Sequence, residues 1–323
     1  MRMVNRWCFL LAMAGVLTFA MLHRGTVLPI RRKFRQALIF RRTPRRQTPA
    51  GPSPEPLRFP RWRNVKPAVE PSVFVHDNSF LRKQKRQGRI MILAMSRWLD
   101  LSSRRFIREN RKRLGLGQGV RMIFVAQDPG ELAELRDFRQ SFLDEAEIHR
   151  DMLVLPFDLT PIDYALFVDY WVDSKFRDLD FIVKHNCSRS LVNWPRVLDF
   201  LGTKDAQWSS RPVLYGWITV RSHSARAPKR RGKPFFVEPN IFALSRVAVQ
   251  LILEKAESSS LGELDIAVSS RIDIKHAPNL PPTAESRQHL KRTFHCEDLW
   301  VWWAPDVWDA RWEVGMKELQ DEC

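Results

Sequence analysis

Acidic residues are almost absent from the first 68 residues of this 323-residue chain, where Glu55 stands against 15 lysines and arginines. Since the whole chain has 53 basic and 36 acidic residues, 38 basic and 35 acidic residues remain after residue 68. The formal net charge of +17 is therefore mostly a property of the N-terminal arm. Nucleic-acid binding is not predicted, because it needs a concentrated basic patch on a folded face or a recognisable module.

Cysteine is also scarce, with Cys8, Cys187, Cys296 and Cys323 as the four examples. No two of them form a C-x-x-C pair, so a structural zinc site is not expected. The three that follow the N-terminal arm permit one disulfide and one free thiol. The spacing does not decide which two would pair.

Long hydrophobic runs are limited to one 16-residue stretch without a charge, Trp7–Leu22, which follows Arg2 and Arg6. A helix of this length spans about 24 Å, somewhat less than a hydrocarbon core of about 30 Å. We interpret residues 7–22 as a signal-anchor transmembrane helix and residues 1–6 as a cytoplasmic tail. A cleaved signal peptide and a mitochondrial presequence are the alternatives.

Residues 23–87 are rich in proline and arginine, most of all between Thr43 and Pro56. This segment lacks the apolar side chains that would offset the entropy lost on ordering, so we expect a disordered, extended stem. The alternative is a membrane-tethered basic tail that binds nucleic acid or anionic lipid.

Residues 88–323 show the alternation of strands and helices that is typical of an α/β domain. The predicted elements are strands at 89–95, 120–126, 152–157 and 181–183, and helices from Ser102 to the glycines at 115–119, at 131–147 and at 162–176. In such sheets, ligands bind outside the carboxyl ends of the parallel strands. The turns after Met95, Ala126, Phe157 and Val183 are therefore the candidate site.

Several short segments of this domain resemble, in order and spacing, one family of glycosyltransferases. They are Ile92–Ser96, Arg104–Arg108, Val120–Val125, His149–Asp158 with Asp163, Tyr164 and Trp171, Phe181–Lys184, Ile241–Ser245 and Leu264–Val268. Together they resemble the β-1,3-galactosyltransferases and β-1,3-N-acetylglucosaminyltransferases. The resemblance covers most of the folded part.

This resemblance implies a Golgi type II membrane enzyme whose lumenal domain, residues 88–323, has a GT-A-like fold. Such a fold is a Rossmann-type, mostly parallel sheet covered by helices. The implied activity is inverting transfer of a hexose, Gal or GlcNAc, from a UDP-sugar donor to a glycan acceptor on a glycoprotein or glycolipid.

The resemblance also assigns site residues. Asp265 falls on the catalytic base of the family; the alternatives are that Asp265 caps a helix or that Glu297 and Asp298 supply the base. Arg104 and Arg108 are expected beside the nucleotide. Lys184, His185, Asn186 and Ser188 are expected beside the diphosphate.

The chain departs from the family where an aspartate triplet should bind a divalent cation, because His185, Asn186, Cys187 and Ser188 stand there instead. Mn²⁺ prefers anionic oxygen ligands, so a Mn²⁺ site made by His185 and Asn186 would be weak. Asp178 and Asp180 precede the strand and belong at its other end. The basic segment Arg221–Lys233 either replaces the cation beside the diphosphate or forms a solvated loop.

Tryptophans cluster near the C-terminus, at positions 300, 302, 303, 308 and 312. Trp302 and Trp303 are candidates for an acceptor platform, since indole faces stack on sugar rings; packing in the core is the alternative. The rival to an enzyme is a catalytically inactive, lectin-like or scaffold protein of the secretory pathway with the same fold.

Overall fold

The computed structural model describes residues 61–72, 89–116, 120–188, 190–220, 235–281 and 300–303. All of them belong to a unit that spans Leu57–Cys323. The predicted anchor at residues 7–22, the basic segment Arg221–Lys233 and the pair Glu297 and Asp298 lie outside the described residues. Within the described ranges, no helix is long and apolar enough to cross a membrane.

Seven strands form the central sheet, and two short strands form a second one. In chain order the strands are β1 (Ile90–Met95), β2 (Arg121–Gln127), β3 (Met152–Leu155), β4 (Phe181–Asn186), β5 (Ser190–Val192), β6 (Val213–Val220), β7 (Phe235–Ser245), β8 (Asp273–His276) and β9 (Val301–Trp303). The central sheet has the order β3-β2-β1-β4-β7-β6-β8, and β5 pairs with β9.

Strand direction divides the central sheet into a parallel half and a mixed half. The pairs β1–β2, β2–β3 and β1–β4 are parallel. Strand β7 runs antiparallel to β4 and β6, while β8 is parallel to β6. The predicted α/β class is confirmed, and the mixed seven-stranded sheet is consistent with a GT-A-like fold.

Six α-helices of the described ranges cover the two faces of the sheet. They are α1 (Leu101–Glu109), α2 (Arg136–His149), α3 (Pro161–Lys175), α4 (Trp194–Trp208), α5 (Arg246–Ala256) and α6 (Glu263–Ser269). Helices α1, α2 and α4 contribute to the core on one face, and α3, α5 and α6 to the core on the other. Strand β1 is buried on both faces because Ile90, Ile92 and Ala94 point to the first core and Met91 and Leu93 to the second.

Several sequence predictions about element ends were wrong. The helix predicted at 131–147 begins at Arg136, and the strand predicted at 152–157 ends at Leu155. Helix α1 does not start at a Ser102 cap: Asp100 is the cap residue, and its carboxylate accepts a hydrogen bond from the Arg97 backbone N–H at 2.7 Å rather than capping the helix. Strand β4 does not end at Val183, because Asn186 still pairs with Met95 and His185 with Ile241. Partners distant in the sequence thus extend the strand through polar residues.

Part of the predicted stem is folded against the domain. Trp62, in a 3-10 helix at Arg61–Asn64, is buried and makes an edge contact with Tyr170 of α3 at 5.4 Å between ring centres. The Val154 N–H of β3 donates a 3.0 Å hydrogen bond to the Val69 carbonyl. The predicted disordered stem at 23–87 is therefore corrected at residues 61–72.

Candidate active site at the carboxyl edge of the sheet

The turns that follow β1, β2 and β4 are bonded to neighbouring strands at one edge of the sheet. The Ser96 N–H donates to the Val125 carbonyl at 2.9 Å, and the Cys187 N–H donates to the Met95 carbonyl at 3.1 Å. The Asp128 N–H donates to the Leu155 carbonyl at 2.8 Å. These bonds bring the predicted site turns together at the edge where α/β sheets bind ligands.

Polar side chains at the end of β4, in the turn after it and at the start of β5 bond to one another. The His185 ring is buried, with Nε2 at 2.8 Å from Ser190 Oγ and an edge contact to Trp194. The Asn186 side-chain oxygen accepts hydrogen bonds from the Ser188 N–H at 3.2 Å and from the Ser188 hydroxyl at 2.7 Å. Three of the residues expected beside the diphosphate are thus bonded to one another or to Ser190 of β5.

The chemistry of this turn does not fit a divalent cation. Burial lowers the pKa of His185 to about 3, so its ring is neutral, and Nε2 already contacts Ser190. Both hydrogen bonds to Asn186 Oδ1 occupy the oxygen that a cation would need. Among the described residues, no group of three or more His, Cys, Asp or Glu side chains could hold a metal ion. The expectation of Mn²⁺ at His185 and Asn186 stays a prediction.

Cys187, in the same turn, is a buried free thiol. Burial, with a smaller contribution from Asp100, raises its pKa to about 12. A thiol in this state is neither a nucleophile nor a soft metal ligand at neutral pH. The other candidates for a disulfide, Cys296 and Cys323, lie outside the described residues.

Lys184 lies on the opposite face of β4 from His185, inside a cluster of buried charges. Its ammonium is 2.6 Å from Asp169 Oδ1 of α3 and 2.7 Å from Glu263 Oε2 of α6. All three side chains are at most 5% exposed. The three groups form no hydrogen bond with any other described residue. A direct contact between Lys184 and a diphosphate would require both carboxylates to move away.

The cluster holds one cation against two carboxylates, and proton binding balances it. Burial, and then the charge of Glu263, raises the pKa of Asp169 well above its usual range, although Lys184 acts in the other direction. Burial alone would lower the pKa of Lys184, but Asp169 and Glu263 outweigh burial and raise it. With Asp169 protonated, the cluster is a neutral group built around the Lys184–Glu263 ion pair.

Asp265 lies two residues after Glu263, in the first turn of α6, and its side chain is exposed. The cap residue of the helix is Gly262, so Asp265 does not hold the cap position that was its alternative role. A Cβ placed on Gly262 would lie 3.7 Å from Ile162 of α3 and 3.8 Å from Asp265 Oδ2. The start of α6 therefore adjoins the start of α3, which follows β3 at the carboxyl edge.

Arg104 belongs to α1, and its buried guanidinium bonds to the turn that follows β1. Its Nε and Nη2 donate to the two carboxylate oxygens of Glu145 at 2.9 and 2.6 Å. Its Nη1 donates to the Arg97 carbonyl at 2.6 Å, and Nη2 reaches the Trp98 carbonyl at 3.3 Å. The guanidinium thus shapes this turn from inside, and direct contact of Arg104 with a nucleotide stays a prediction.

Arg108 continues the same network one turn along α1. It donates to Glu145 at 2.6 Å and to both oxygens of Asp151 at 2.8 and 2.9 Å. Burial would lower the pKa of Arg108, but the bonds to Asp151 and Glu145 outweigh it and raise the pKa. The Arg104–Glu145–Arg108–Asp151 network joins α1 to α2 and to the start of β3. The predicted nucleotide contact of Arg108 also remains untested.

The turn after β2 is held by hydrogen bonds to Asp128. Asp128 accepts hydrogen bonds from the Gly130 N–H at 2.8 Å and from Nε and Nη2 of Arg139, each at 2.9 Å. Gly130 has a φ of +86°, and a Cβ at this position would lie 3.1 Å from the Phe157 ring. Glycine is therefore required for both the backbone conformation and the contact. Its neighbour Phe157 is 62% exposed at the same edge.

The predicted acceptor residues occupy a strand beside the turn after β4. Trp302 pairs with Leu191, and Trp303 pairs with Ser190, whose hydroxyl contacts His185. This register brings Trp302 and Trp303 near the candidate site. Where their indole rings lie is outside the described structure. Trp308 and Trp312 also lie outside the described residues.

Asp178 and Asp180 lie at the opposite end of the sheet, as expected. Asp178 receives two hydrogen bonds from Arg121 at the start of β2, at 3.0 and 2.7 Å. Asp180 forms a 2.6 Å ion pair with Arg89, which precedes β1. Neither carboxylate belongs to the candidate site.

Sequence reasoning missed the partners of Lys184. Asp169 stands among Leu166, Phe167, Val168 and Trp171 on the buried side of α3, and a carboxylate within an apolar stripe is a detectable signal. Glu263 offers a weaker signal, because the sequence places it beside Asp265 without revealing which of the two is buried.

Comparisons with known proteins give distant similarities to solved structures. No protein-family model and no curated protein matches the chain. Among solved structures, a glycosyltransferase involved in the glycosylation of the major capsid of PBCV-1 matches over 65% of this chain and 92% of its own, with 10% identity and a TM-score of 0.34. A similarity this weak does not assign this chain to the β-1,3 family.

Proposed function

We propose that this chain is a glycosyltransferase that transfers a hexose, Gal or GlcNAc, from a UDP-sugar to a glycan hydroxyl with inversion. The single observation that carries the proposal is the placement of Asp265. Glu263 joins the first turn of α6 to Lys184 of β4, and Asp265 is exposed on that turn. An exposed carboxylate beside the carboxyl edge of the sheet is suited to accept a proton from a bound acceptor.

The proposed reaction is a single displacement. The acceptor oxygen forms a bond to C1 of the hexose from the face opposite UDP, and the C1–O bond to UDP breaks. The acceptor proton passes to the Asp265 carboxylate. The bond electrons leave with UDP, whose added negative charge must be neutralised.

For that charge we propose the basic segment Arg221–Lys233. Strand β6 runs parallel to β4, so Val220 at the end of β6 and Phe235 at the start of β7 lie at the same carboxyl edge. Lysine and arginine neutralise a diphosphate without a metal ion. Supporting this choice, the described cations near the edge are already paired: Arg104 with Glu145, and Lys184 with Asp169 and Glu263.

The activity is tested with the full chain in detergent. UDP-galactose and UDP-N-acetylglucosamine are each supplied with glycan acceptors, and release of the nucleoside diphosphate is measured, with GDP-mannose as the control donor. The proposal predicts release from a UDP-sugar that increases with acceptor. No release above the GDP-mannose level from either donor would contradict it.

A second candidate is a catalytically inactive, lectin-like or scaffold protein. The observation that favours it is the turn after β4, where a neutral buried His185 and a buried Cys187 thiol stand in place of carboxylates. Calorimetry with UDP, with and without Mn²⁺, separates the two functions. Heat of binding supports the transferase, whereas no heat in either condition supports the scaffold.

We also propose that the protein is a single-pass type II protein of the Golgi membrane, anchored by residues 7–22. Protease protection of vesicles that contain a C-terminally tagged chain tests the orientation. A protected tag agrees with a lumenal domain. N-terminal sequencing of the purified protein distinguishes an anchor, which keeps Trp7–Leu22, from a cleaved signal.

A further inference from the structure

A surface cavity of about 410 Å³ lies beside α4, on the face of the sheet opposite α6. Its lining residues are Arg196, Asp199, Phe200, Thr203 and Trp300. The volume falls within the range of about 300–1,000 Å³ that is common for small-molecule sites. Four of the five residues recur at the spacing of one helical face, which places them side by side along α4.

Aromatic rings form the apolar part of this cavity. Phe200 and Trp300 contact each other at 5.3 Å between ring centres, and Phe200 also packs against Trp208 and Tyr215. Trp300 is held by its backbone, which donates to the Asn279 carbonyl and accepts from the Asn193 N–H. The rings are therefore fixed before any ligand binds, which lowers the entropic cost of binding.

The charged lining groups have no partner among the residues that the structure describes. The Arg196 guanidinium and the Asp199 carboxylate form no hydrogen bond or ion pair with any described residue, although they are three residues apart on one helix. Thr203 donates its hydroxyl proton to the Phe200 carbonyl at 2.7 Å and keeps acceptor capacity. Lys204 lies over the Phe200 ring at 5.7 Å and does not line the cavity.

These groups are complementary to a ring that carries neighbouring hydroxyls. A carboxylate accepts hydrogen bonds and a guanidinium donates them, whereas each sugar hydroxyl does both. The C–H face of a sugar ring suits an aromatic surface. A phosphate or a carboxylated ligand would meet Asp199, which repels it.

We propose that this cavity is a binding subsite for a neutral glycan, separate from the candidate active site. It takes a hexose unit or disaccharide, with the ring against Phe200 and Trp300 and its hydroxyls bonded to Arg196 and Asp199. The subsite does not depend on the proposed transferase activity, because none of its lining residues takes part in the proposed reaction. A glycan held there would be retained by the protein whether or not it is an acceptor.

Saturation-transfer NMR tests the subsite, with the full chain in a detergent that contains no sugar and with lactose, chitobiose or UDP as the probe. Wild type is expected to give a signal with at least one disaccharide. Asp199→Ala and Arg196→Ala are expected to weaken that binding by about tenfold or more, since each removes a hydrogen bond to a charged group. Because Arg196 and Asp199 have no side-chain partner in the described part of the chain, both variants are expected to keep the melting temperature of wild type.

Two control variants separate this site from other effects. Asp137→Asn alters an exposed carboxylate of α2, and Asp265→Asn alters the candidate active site; both are expected to bind the disaccharide like wild type. Loss of binding in Asp265→Asn but not in Asp199→Ala would overturn the subsite and place the glycan at the active site. Absence of any disaccharide signal in wild type, or a UDP signal that Asp199→Ala removes, would also overturn it.

Discussion

Lys184 of β4 and Glu263 of α6 form a buried ion pair, with 2.7 Å between Nζ and Oε2. The two residues are far apart in the sequence, and their contact fixes the first turn of α6 against the sheet. Asp265 on that turn is exposed, so the pair supports the candidate base without being part of the reaction. The raised pKa of Asp169 favours its protonated form, which reduces the cost of burying the charges.

Replacing Lys184 is expected to destabilise the fold. Lys184→Met leaves Glu263 and Asp169 buried without a cation, so we expect a loss of about 3–5 kcal/mol in the free energy of unfolding, measured by urea denaturation at pH 7. Lys175→Met is the control, because Lys175 and Glu70 form an ion pair in which both side chains are about half exposed. It should cost less than about 1 kcal/mol. Equal losses in both variants would contradict the buried cluster.

The raised pKa of Asp169 predicts how stability changes with pH. In the unfolded chain an aspartate ionises at about pH 4, whereas in the fold Asp169 keeps its proton to a higher pH. Its contribution to the stability of the fold is therefore complete below about pH 4 and is lost as pH rises towards the folded pKa. Asparagine cannot ionise, so Asp169→Asn should gain stability relative to wild type between pH 5 and pH 8 in urea denaturation. The same substitution at exposed Asp137 is the matched control. An unchanged difference between Asp169→Asn and wild type at the two pH values would refute the raised pKa.

We expect that lysine cannot replace Arg104 without a loss of stability. Lysine cannot reproduce the two parallel hydrogen bonds to Glu145, so Arg104→Lys should lower the free energy of unfolding by about 2 kcal/mol or more. Arg105→Lys on the same helix should leave stability nearly unchanged, because Arg105 is 73% exposed. Chemical denaturation of both variants measures the difference. If Arg104→Lys were as stable as wild type but lost UDP binding, the guanidinium would instead act on the nucleotide.

The lowered pKa of His185 predicts that the fold loses stability in acid. Its pKa falls to about 3 in the fold because of burial, whereas an unfolded histidine takes up a proton below about pH 6.5. Stability should therefore fall as pH decreases from about 6.5 towards 3, by up to about 1.4 kcal/mol per pH unit from this residue. His185→Phe keeps an aromatic contact with Trp194 and removes this part of the slope. Urea denaturation at pH 6.5, 5.5 and 4.5 measures it, with exposed His149→Gln as the control; identical slopes for His185→Phe and wild type would exclude the buried neutral ring.

The parallel half of the sheet was predictable from local sequence pattern. Ile90–Met95 and Arg121–Gln127 are short apolar runs, and burial on both faces requires such runs. Helix α3 begins at Pro161 after a Thr160 cap that accepts from the Asp163 N–H, which is also a local signal. These elements depend on neighbours in the chain and on burial alone.

The site was less predictable because its contacts are distant in sequence. Lys184 and His185 are polar, so the sequence predicted a turn, but pairing with Met95 and Ile241 continues the strand and buries both. Lys184 can be buried because it pairs with Asp169 and Glu263, which belong to two other elements. The cavity beside α4 had a local signal in the spacing of Arg196, Asp199, Phe200 and Thr203, but Trp300 completes it from the far end of the domain.

The central claim is that Asp265 deprotonates the acceptor, and the transfer rate of Asp265→Asn tests it most directly. The measurement compares wild type, Asp265→Asn and Asp137→Asn with one UDP-sugar and one acceptor, with UDP affinity determined in parallel by calorimetry. We expect kcat to fall by about 10²–10⁴-fold in Asp265→Asn alone, with UDP affinity unchanged. Equal kcat values for Asp265→Asn and wild type would contradict the account.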